Sequence, residues 1–396
     1  MRLPMATKRQ LIERKKDAYR KASKKERTRI LNGLEDSTGL TREHLSRALR
    51  DKYIYETKAI KTGRGRKPIY GLAHKEGLVK VWTILGFPSS RRLVGGLADT
   101  LDNLERFNEY VMDPEVKRQL LRISHTTVDR LLKFDRLKLY PFGKATTKPG
   151  TLLKNEIPIR RGTDWDDVRP GYMEIDLVAH CGHNTRGEFL FTLDCTDVST
   201  GWTECRAVIN KARIHTLNAI KQIREQIPFP LLAIDSDNGS EFINDHFLYF
   251  CRDENIYFTR SRPNKSNDSC YVEQKNWSIV RHEMGYDRFA GEDALHLFNR
   301  YYLLLSKLNN YFVPSQKLVE RQRTGATVRK KHDRAQTPYR RLLANPYVSE
   351  ETINQLNQTF YSINVVQLRK EMTSILAQIE KLSLGYDGKR FNRRLH

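Results

Sequence analysis

Three carboxylates, Asp176, Asp237 and Glu273, are best placed by type and position to do chemistry in this chain. The stretch AIDSDNGSEF (233–242) crowds Asp235, Asp237 and Glu241 around one glycine. Two like charges about 4 Å apart repel by roughly 4 kcal/mol at an effective dielectric near 20, so an inward-facing cluster calls for a cation. Asp176 falls in an alternating run, sharing a face with Tyr172 and Glu174. Asp237 ends an apolar run just before Asn238-Gly239, and Glu273 opens a helical stretch. A sheet that sets the two runs side by side brings the aspartates together and lets the helix lean Glu273 over them. Three carboxylates with no nearby histidine base or serine nucleophile suit hard oxygen-seeking cations, Mg²⁺ or Mn²⁺. With two ions, one lowers the pKa of water or a DNA 3′-hydroxyl and the other stabilises the leaving oxygen, so no side chain serves as nucleophile. Asp235 shares the parity of Asp237 but does not precede Asn-Gly. Glu174 and Asp194 read as supporting or surface groups, and Glu241 as an acid favouring the N-terminus of the next helix.

The elements that must position these residues follow from the local patterns. Residues 171–181, 188–197 and 201–209 are short alternating or apolar runs split by glycine and serine, an antiparallel meander. An amphipathic helix over 211–227, a strand over 231–237, a helix over 242–255, a strand over 256–260 and a helix over 270–286 follow. The order βββαβαβα predicts a mixed sheet with helices on both faces.

The 396 residues carry a formal charge of +23, which points to a long polyanion as partner. Residues 1–160 hold 37 cations against 18 anions and residues 291–396 hold 18 against 9, whereas residues 171–290 hold 13 against 17. Basic arms thus flank an acidic centre, as a metal-dependent nuclease requires and a simple basic coat does not. The five cysteines show no C-x-x-C spacing, which argues against a disulfide framework or structural zinc. AHCGH (180–183 with Ala179) reads as structural for the same reason. No secretory leader or membrane span is visible, so the expected setting is soluble, cytoplasmic and nucleoid-associated.

The flanks read as DNA-binding helices. Residues 1–60 are helical and basic, and 31–50 have a helix-turn-helix rhythm: a helix to Gly39, a turn at Leu40, Thr41 as N-cap, then Leu45, Ala48 and Leu49 inward with Arg42, Arg47 and Arg50 free for DNA. Residues 61–74 include KTGRGRKP, either an AT-hook-like minor-groove arm using Arg64, Arg66 and Lys67 or a flexible linker. Residues 75–140 are helical again, with a second helix-turn-helix over 115–134 that has Ser124 as N-cap and places Arg130 for DNA. Residues 141–170 read as a linker, 171–290 as the catalytic core, and 291–396 as a basic helical region. Near the core, Arg262 and Lys265 suit a DNA backbone, and Lys275 and Asn276 either contact terminal DNA or form a solvated helix face. Trp202 and Trp277 read as core. The basic stretch 321–341 suits phosphate contacts. Val365, Leu368, Met372, Ile375, Ile379 and Leu382 form a heptad seam that either joins protomers as a coiled coil or packs on its own chain.

IDSDNGSEF followed by SRPNKSNDSCYVEQKN resembles the catalytic core of retroviral-integrase-type recombinases, in particular the DDE transposases of bacterial insertion sequences. Asp237 and Glu273 have 35 residues between them, and the Asn-Gly and the Glu273-x-x-Asn276 pattern also fit. The resemblance covers about 170–290. It implies a multidomain chain with an all-α N-terminal DNA-binding region, an RNase H-like α/β core and a basic helical tail. It also implies Asp176, Asp237 and Glu273 as ligands of two Mg²⁺ ions (Mn²⁺ substituting). The activity implied is binding of terminal inverted repeats, hydrolysis at the element ends and transfer of the 3′-hydroxyl strands into target double-stranded DNA by a homodimer or larger homo-oligomer. The alternatives are an RNase H-like nuclease without strand transfer and a transposase-derived DNA-binding regulator.

Overall fold

The computed structural model describes residues 5–50, 69–139, 169–236, 241–242, 244–260, 272, 275–324 and 327–384. It comprises two compact units, Met1–Ile69 and Tyr70–His396. The first holds α1 (Met5–Lys21), α2 (Lys24–Thr38) and α3 (Arg42–Arg50) around Ile12, Tyr19, Leu31, Leu34, Leu45 and Leu49. The start of α2 is fixed by Glu26, whose carboxylate accepts from Ser23 N and Ser23 Oγ, both at 2.8 Å. Its end is fixed by Gly39, at φ +64° with its N–H bonded to Glu35 O. The helix–Gly39–helix pattern expected over 31–50 is therefore present in shape, and Arg42, Arg47 and Arg50 are exposed on α3. Arg64, Arg66 and Lys67 lie outside the described residues.

The second unit opens with α4 (Leu72–Ile84), α5 (Ser90–Arg106), α6 (Pro114–Leu120), α7 (His125–Leu131) and α8 (Lys133–Leu139). Because Leu72 already starts α4, the segment expected as linker to residue 74 ends sooner. Ser124 caps α7 as expected, its Oγ accepting from Thr127 N at 3.2 Å, and Arg130 is exposed.

The sheet consists of β1 (Tyr172–Ala179), β2 (Phe191–Asp197), β3 (Thr203–Val208), β4 (Ala233–Ser236) and β5 (Tyr257–Arg260), in the order β3-β2-β1-β4-β5. Strands β1, β2 and β3 are antiparallel, whereas β4 runs parallel to both β1 and β5. The first and fourth strands are thus neighbours in a mixed sheet, as the RNase H-like expectation requires. With α9 (Arg213–Gln226) and α10 (Asp245–Asp253), this gives the element order expected. Helix α11 follows, wound as a π-helix over Asn276–Arg281 and as an α-helix over His282–Met284. Strand alternation sorts the two faces. Met173, Ile175, Cys195 and Ile234 meet Ile220, Ile223 and Ile227 on one side, and the other side carries the carboxylates.

The free edge of β3 is covered by α12 (Glu292–Tyr311) in a specific way. Asn310 accepts from Thr203 N and donates to Thr203 O, both at 2.9 Å, and Asn299 does the same at Ala207, at 2.8 and 3.1 Å. Each amide thereby replaces one peptide of a missing neighbour strand and closes the edge to other chains.

The C-terminal region differs from the all-helical expectation. Residues Leu318–Thr324 (β6) and Thr327–His332 (β7) form an antiparallel hairpin before α13 (Pro338–Leu343), α14 (Glu350–Ser362) and α15 (Val365–Lys381). Val319, Thr324, Thr327 and Val328 favour strand, and the glycine between the arms is a turn signal that outweighs the helix preference of the arginines. On α15, Val365, Leu368, Met372, Ile375 and Ile379 are buried within the chain, where α15 packs on α12. The heptad seam is therefore consumed internally and does not offer a coiled-coil surface. No helix among the described residues is long and apolar enough to cross a membrane.

Two outcomes follow from this packing. Asn310 is fully buried, so Asn310→Ala strands the N–H and C=O of Thr203 and is expected to cost about 2–3 kcal/mol in a urea titration. His180 is buried with Nε2 at 2.7 Å from the Thr192 hydroxyl, and burial pushes its pKa down to about 3. Below its ordinary value near 6.5 the unfolded chain binds the proton that the fold refuses. Stability should therefore fall as pH drops from about 6.5 toward 3. His180→Gln is expected to remove up to about 1.4 kcal/mol per pH unit of that slope, read from urea midpoints across the window.

Candidate active site

The register of β1 places Asp176 opposite Asp194 of β2, and Glu174 beside Asp235 of β4. All four carboxylates therefore point to one face of the sheet. Burial separates them: Glu174, Asp194 and Asp235 are almost wholly enclosed, whereas Asp176 is half-buried and open to solvent. Each enclosed acid has a structural attachment. Glu174 Oε2 accepts from Val272 N at 3.0 Å, which ties the stretch leading into α11 to the middle of β1. Asp235 Oδ1 accepts from Thr259 Oγ1 of β5 at 2.6 Å. Asp194 Oδ1 accepts from Thr196 Oγ1 at 3.2 Å, and its Oδ2 has no hydrogen-bond partner among the described residues.

Asp176 is held by two donors. Its Oδ1 accepts from Leu177 N at 2.8 Å, and its Oδ2 accepts from Asn276 Nδ2 at 2.6 Å. Asn276 opens the π-wound part of α11, and such wider turns recur at functional sites because they re-aim a side chain. Burial pushes Asp194 well above the usual carboxylate range, and the neighbouring charge of Asp176 acts in the same direction against the pull of Lys275. The same burial pushes Lys275 down. Burial thus disfavours the ionised form of Asp194, which lessens the negative charge one strand away from Asp176.

Of the three acids singled out from the sequence, Asp176 is described, while Asp237 and Glu273 lie outside the described residues, as do Arg262 and Lys265. Ser236, paired with Ile175, is the residue before Asp237 and ends β4 beside β1. Lys275 and Asn276 are half-buried and form no freely solvated helix face: Lys275 Nζ donates to Gly201 O at 3.2 Å, and Asn276 Nδ2 donates to Asp176. Trp202 is core as expected, its indole N–H bonded to Glu204 at 2.8 Å, but Trp277 is 63% exposed on the outer side of α11. Glu241 precedes α10, yet the cap itself is Asn244, whose side chain accepts from Phe247 N at 3.0 Å.

The donor set suits a hard cation. Asp176 offers an oriented, accessible carboxylate, and the enclosed Glu174 and Asp235 add oxygen-rich surroundings behind it. Among the described residues no group of three His, Cys, Asp or Glu side chains could hold a metal by itself. A complete set therefore needs ligands beyond them, such as Asp237 and Glu273.

No family model matches the chain. It is 35% identical over 331 residues to the uncharacterized protein y4rM of Sinorhizobium fredii, an alignment covering 84% of this chain and 93% of that protein. Solved structures with partial likeness include the simian T-cell lymphotropic virus intasome bound to a PP2A regulatory subunit (TM-score 0.28, 16% identity, 46% of this chain and 58% of that one). Two others are catalytic core domains: HTLV-2 integrase in complex with magnesium (0.29, 16%, 38% and 93%) and BIV integrase (0.27, 15%, 43% and 91%).

The hydrogen bond from Asn276 to Asp176 is testable without turnover. In Mn²⁺ titrations, Asn276→Ala is expected to weaken binding 10- to 100-fold, as loss of a ligand-orienting partner does. Asp194→Asn, which copies a neutral acid, should leave the affinity within about threefold of wild type.

Proposed function

The chain belongs to the same family as the uncharacterized protein y4rM of Sinorhizobium fredii, and we propose that it is a metal-dependent polynucleotidyl transferase, a DDE transposase. The observation that carries this reading is the accessible Asp176, fixed by Asn276 from the helix that begins next to Glu273. Asp176, Asp237 and Glu273 would hold two Mg²⁺ ions, whose chemistry when bound would be to acidify a water or a DNA 3′-hydroxyl and to stabilise the leaving oxygen. The protein's own part is placement. Asn276 keeps one oxygen of Asp176 aimed at the site, Glu174 holds the lead-in to α11 against β1, and Asp194, whose ionised form burial disfavours, lies behind them. The exposed Trp277 beside Asn276 supplies a face on which an unstacked base can rest. Arg42, Arg47, Arg50 and Arg130, all exposed on helices, together with Arg64, Arg66, Lys67, Arg262 and Lys265, are proposed as DNA contacts for terminal repeats and target. Two copies acting on two element ends fit the transfer step.

The test uses labelled duplexes from either flank of the gene, incubated with Mg²⁺ or Mn²⁺. Wild type should give a discrete nick and joined products, and Asp176→Asn should lose at least about a thousandfold of both. Nicks that are never joined would replace the reading with a nuclease. Specific binding with no cut under either metal would replace it with a DNA-binding regulator.

A further inference from the structure

The β6–β7 hairpin stands apart from the rest of the second unit. Among the described residues its strands pair only with each other, and none of its described side chains belongs to the buried core of this unit. Val319 near its stem is 59% exposed. A two-stranded hairpin without a hydrophobic face is marginal by itself. What it carries is charge: Arg321, Arg323, Arg329, Lys330 and Lys331 against the single acid Glu320.

The register sorts these charges unequally. Glu320 pairs with Lys331 and Gln322 with Arg329. On that face Glu320 answers Lys331 at 3.8 Å and Gln322 Nε2 at 2.6 Å, so its charge is partly matched from within. The opposite face is set by Arg321↔Lys330 and Arg323↔Val328, three cations and no acid. Residues two apart on a strand are about 6.6 Å apart, close to two base-pair steps. A two-stranded ribbon also has the width that the DNA major groove admits.

The stem is built to hold this ribbon in place. Asp333 Oδ1 accepts from Lys317 N at 2.6 Å, and Asp333 Oδ2 accepts from Arg341 Nη2 at 2.9 Å. Arg341 also donates to Ser315 O at 2.8 Å and to Thr200 O at 3.3 Å, and Lys317 Nζ donates to Ser199 O at 2.7 Å. Helix α5 closes on the same stem through Gly95, where an added Cβ would lie 2.5 Å from Ala335 O. The β2–β3 turn gripped by Arg341 and Lys317 is the one that receives Lys275 through Gly201 O.

We propose that β6–β7 is a DNA-gripping ribbon, whose Arg321–Arg323–Lys330 face lies along the backbone of duplex DNA and whose stem fixes that duplex relative to the Asp176 centre. This rests on the reading of the chain as a DNA-acting enzyme and adds the surface that holds the substrate. Binding of the full-length protein to a fluorescent 40-base-pair duplex, by anisotropy across a salt series without divalent metal, tests it. The variant R321Q/R323Q/K330Q should reduce the slope of log affinity against log salt by about three phosphate contacts, roughly 2.7. Gln322→Ala on the other face should leave the slope unchanged, and thermal melting of both variants should match wild type. A triple variant that melts normally and keeps the wild-type slope overturns the ribbon while leaving the enzyme reading intact. Should the triple variant not fold, the single changes R323Q and K330Q take its place, each expected to lower the slope by about 0.9. No binding of wild type to any duplex at low salt would instead sink the DNA-acting reading. An equal loss for heparin, or tighter binding to duplex RNA than to DNA, overturns duplex DNA as the partner.

Discussion

Four acids on one sheet face set the problem that the rest of the second unit solves. Ionised together in a partly dry site, Glu174, Asp176, Asp194 and Asp235 would repel one another by several kcal/mol. The chain distributes the strain by giving each acid a different environment. Glu174 and Asp235 are engaged by a backbone N–H and a threonine hydroxyl, burial disfavours the ionised form of Asp194, and of the four only Asp176 is left accessible. Accessibility and orientation, more than residue type, are what single out one carboxylate among four.

That arrangement depends on a sheet that cannot shift. Sliding β1 by one residue would turn Asp176 to the apolar side and push Ile175 into the carboxylate face. The register is secured from both flanks. Isoleucines of α9 fill the apolar face, and the asparagines of α12 complete the backbone bonding of the outer strand. Helix α15 then seals α12 from behind with the very seam that, read alone, suited an intermolecular coiled coil. A heptad repeat specifies an apolar stripe and its period; it does not specify which helix lies opposite.

The strands are legible because period-two alternation and glycine turns fix them locally, and the adjacency of β1 and β4 follows from bringing Asp176 toward Asp237; that the two run parallel is what the structure adds. The side chains around α11 were harder. By polarity Lys275 and Asn276 read as facing DNA or solvent, and by bulk Trp277 reads as core. The phase of Val272, Ile279 and Val280 points the other way: positions three to four residues apart share a face, so 275 and 276 turn inward and 277 turns out. The inward side of this helix meets carboxylates and the Gly201 carbonyl rather than hydrocarbon, so polarity alone does not show which way 275 and 276 turn. The hairpin at 318–332 was missed for another reason. Its pairing has no core to announce it, only turn chemistry and a charge pattern equally readable as an unstructured basic stretch.

The β2–β3 turn joins these parts. One short segment, Ser199 to Gly201, offers three consecutive carbonyls to three cations from separate elements: Lys317 at the ribbon stem, Arg341 on α13 and Lys275 on the lead-in to α11. Asp197 stiffens the turn, accepting from Thr200 N at 2.7 Å, Thr200 Oγ1 at 2.6 Å and Gly171 N at 2.8 Å. A turn so constrained transmits position rather than absorbing it. Any movement of the ribbon relative to the sheet must break Lys317 and Arg341 away from carbonyls whose neighbour also holds Lys275. Lys275 leads directly into α11, so that helix and the β6–β7 hairpin are referenced to the same few backbone atoms.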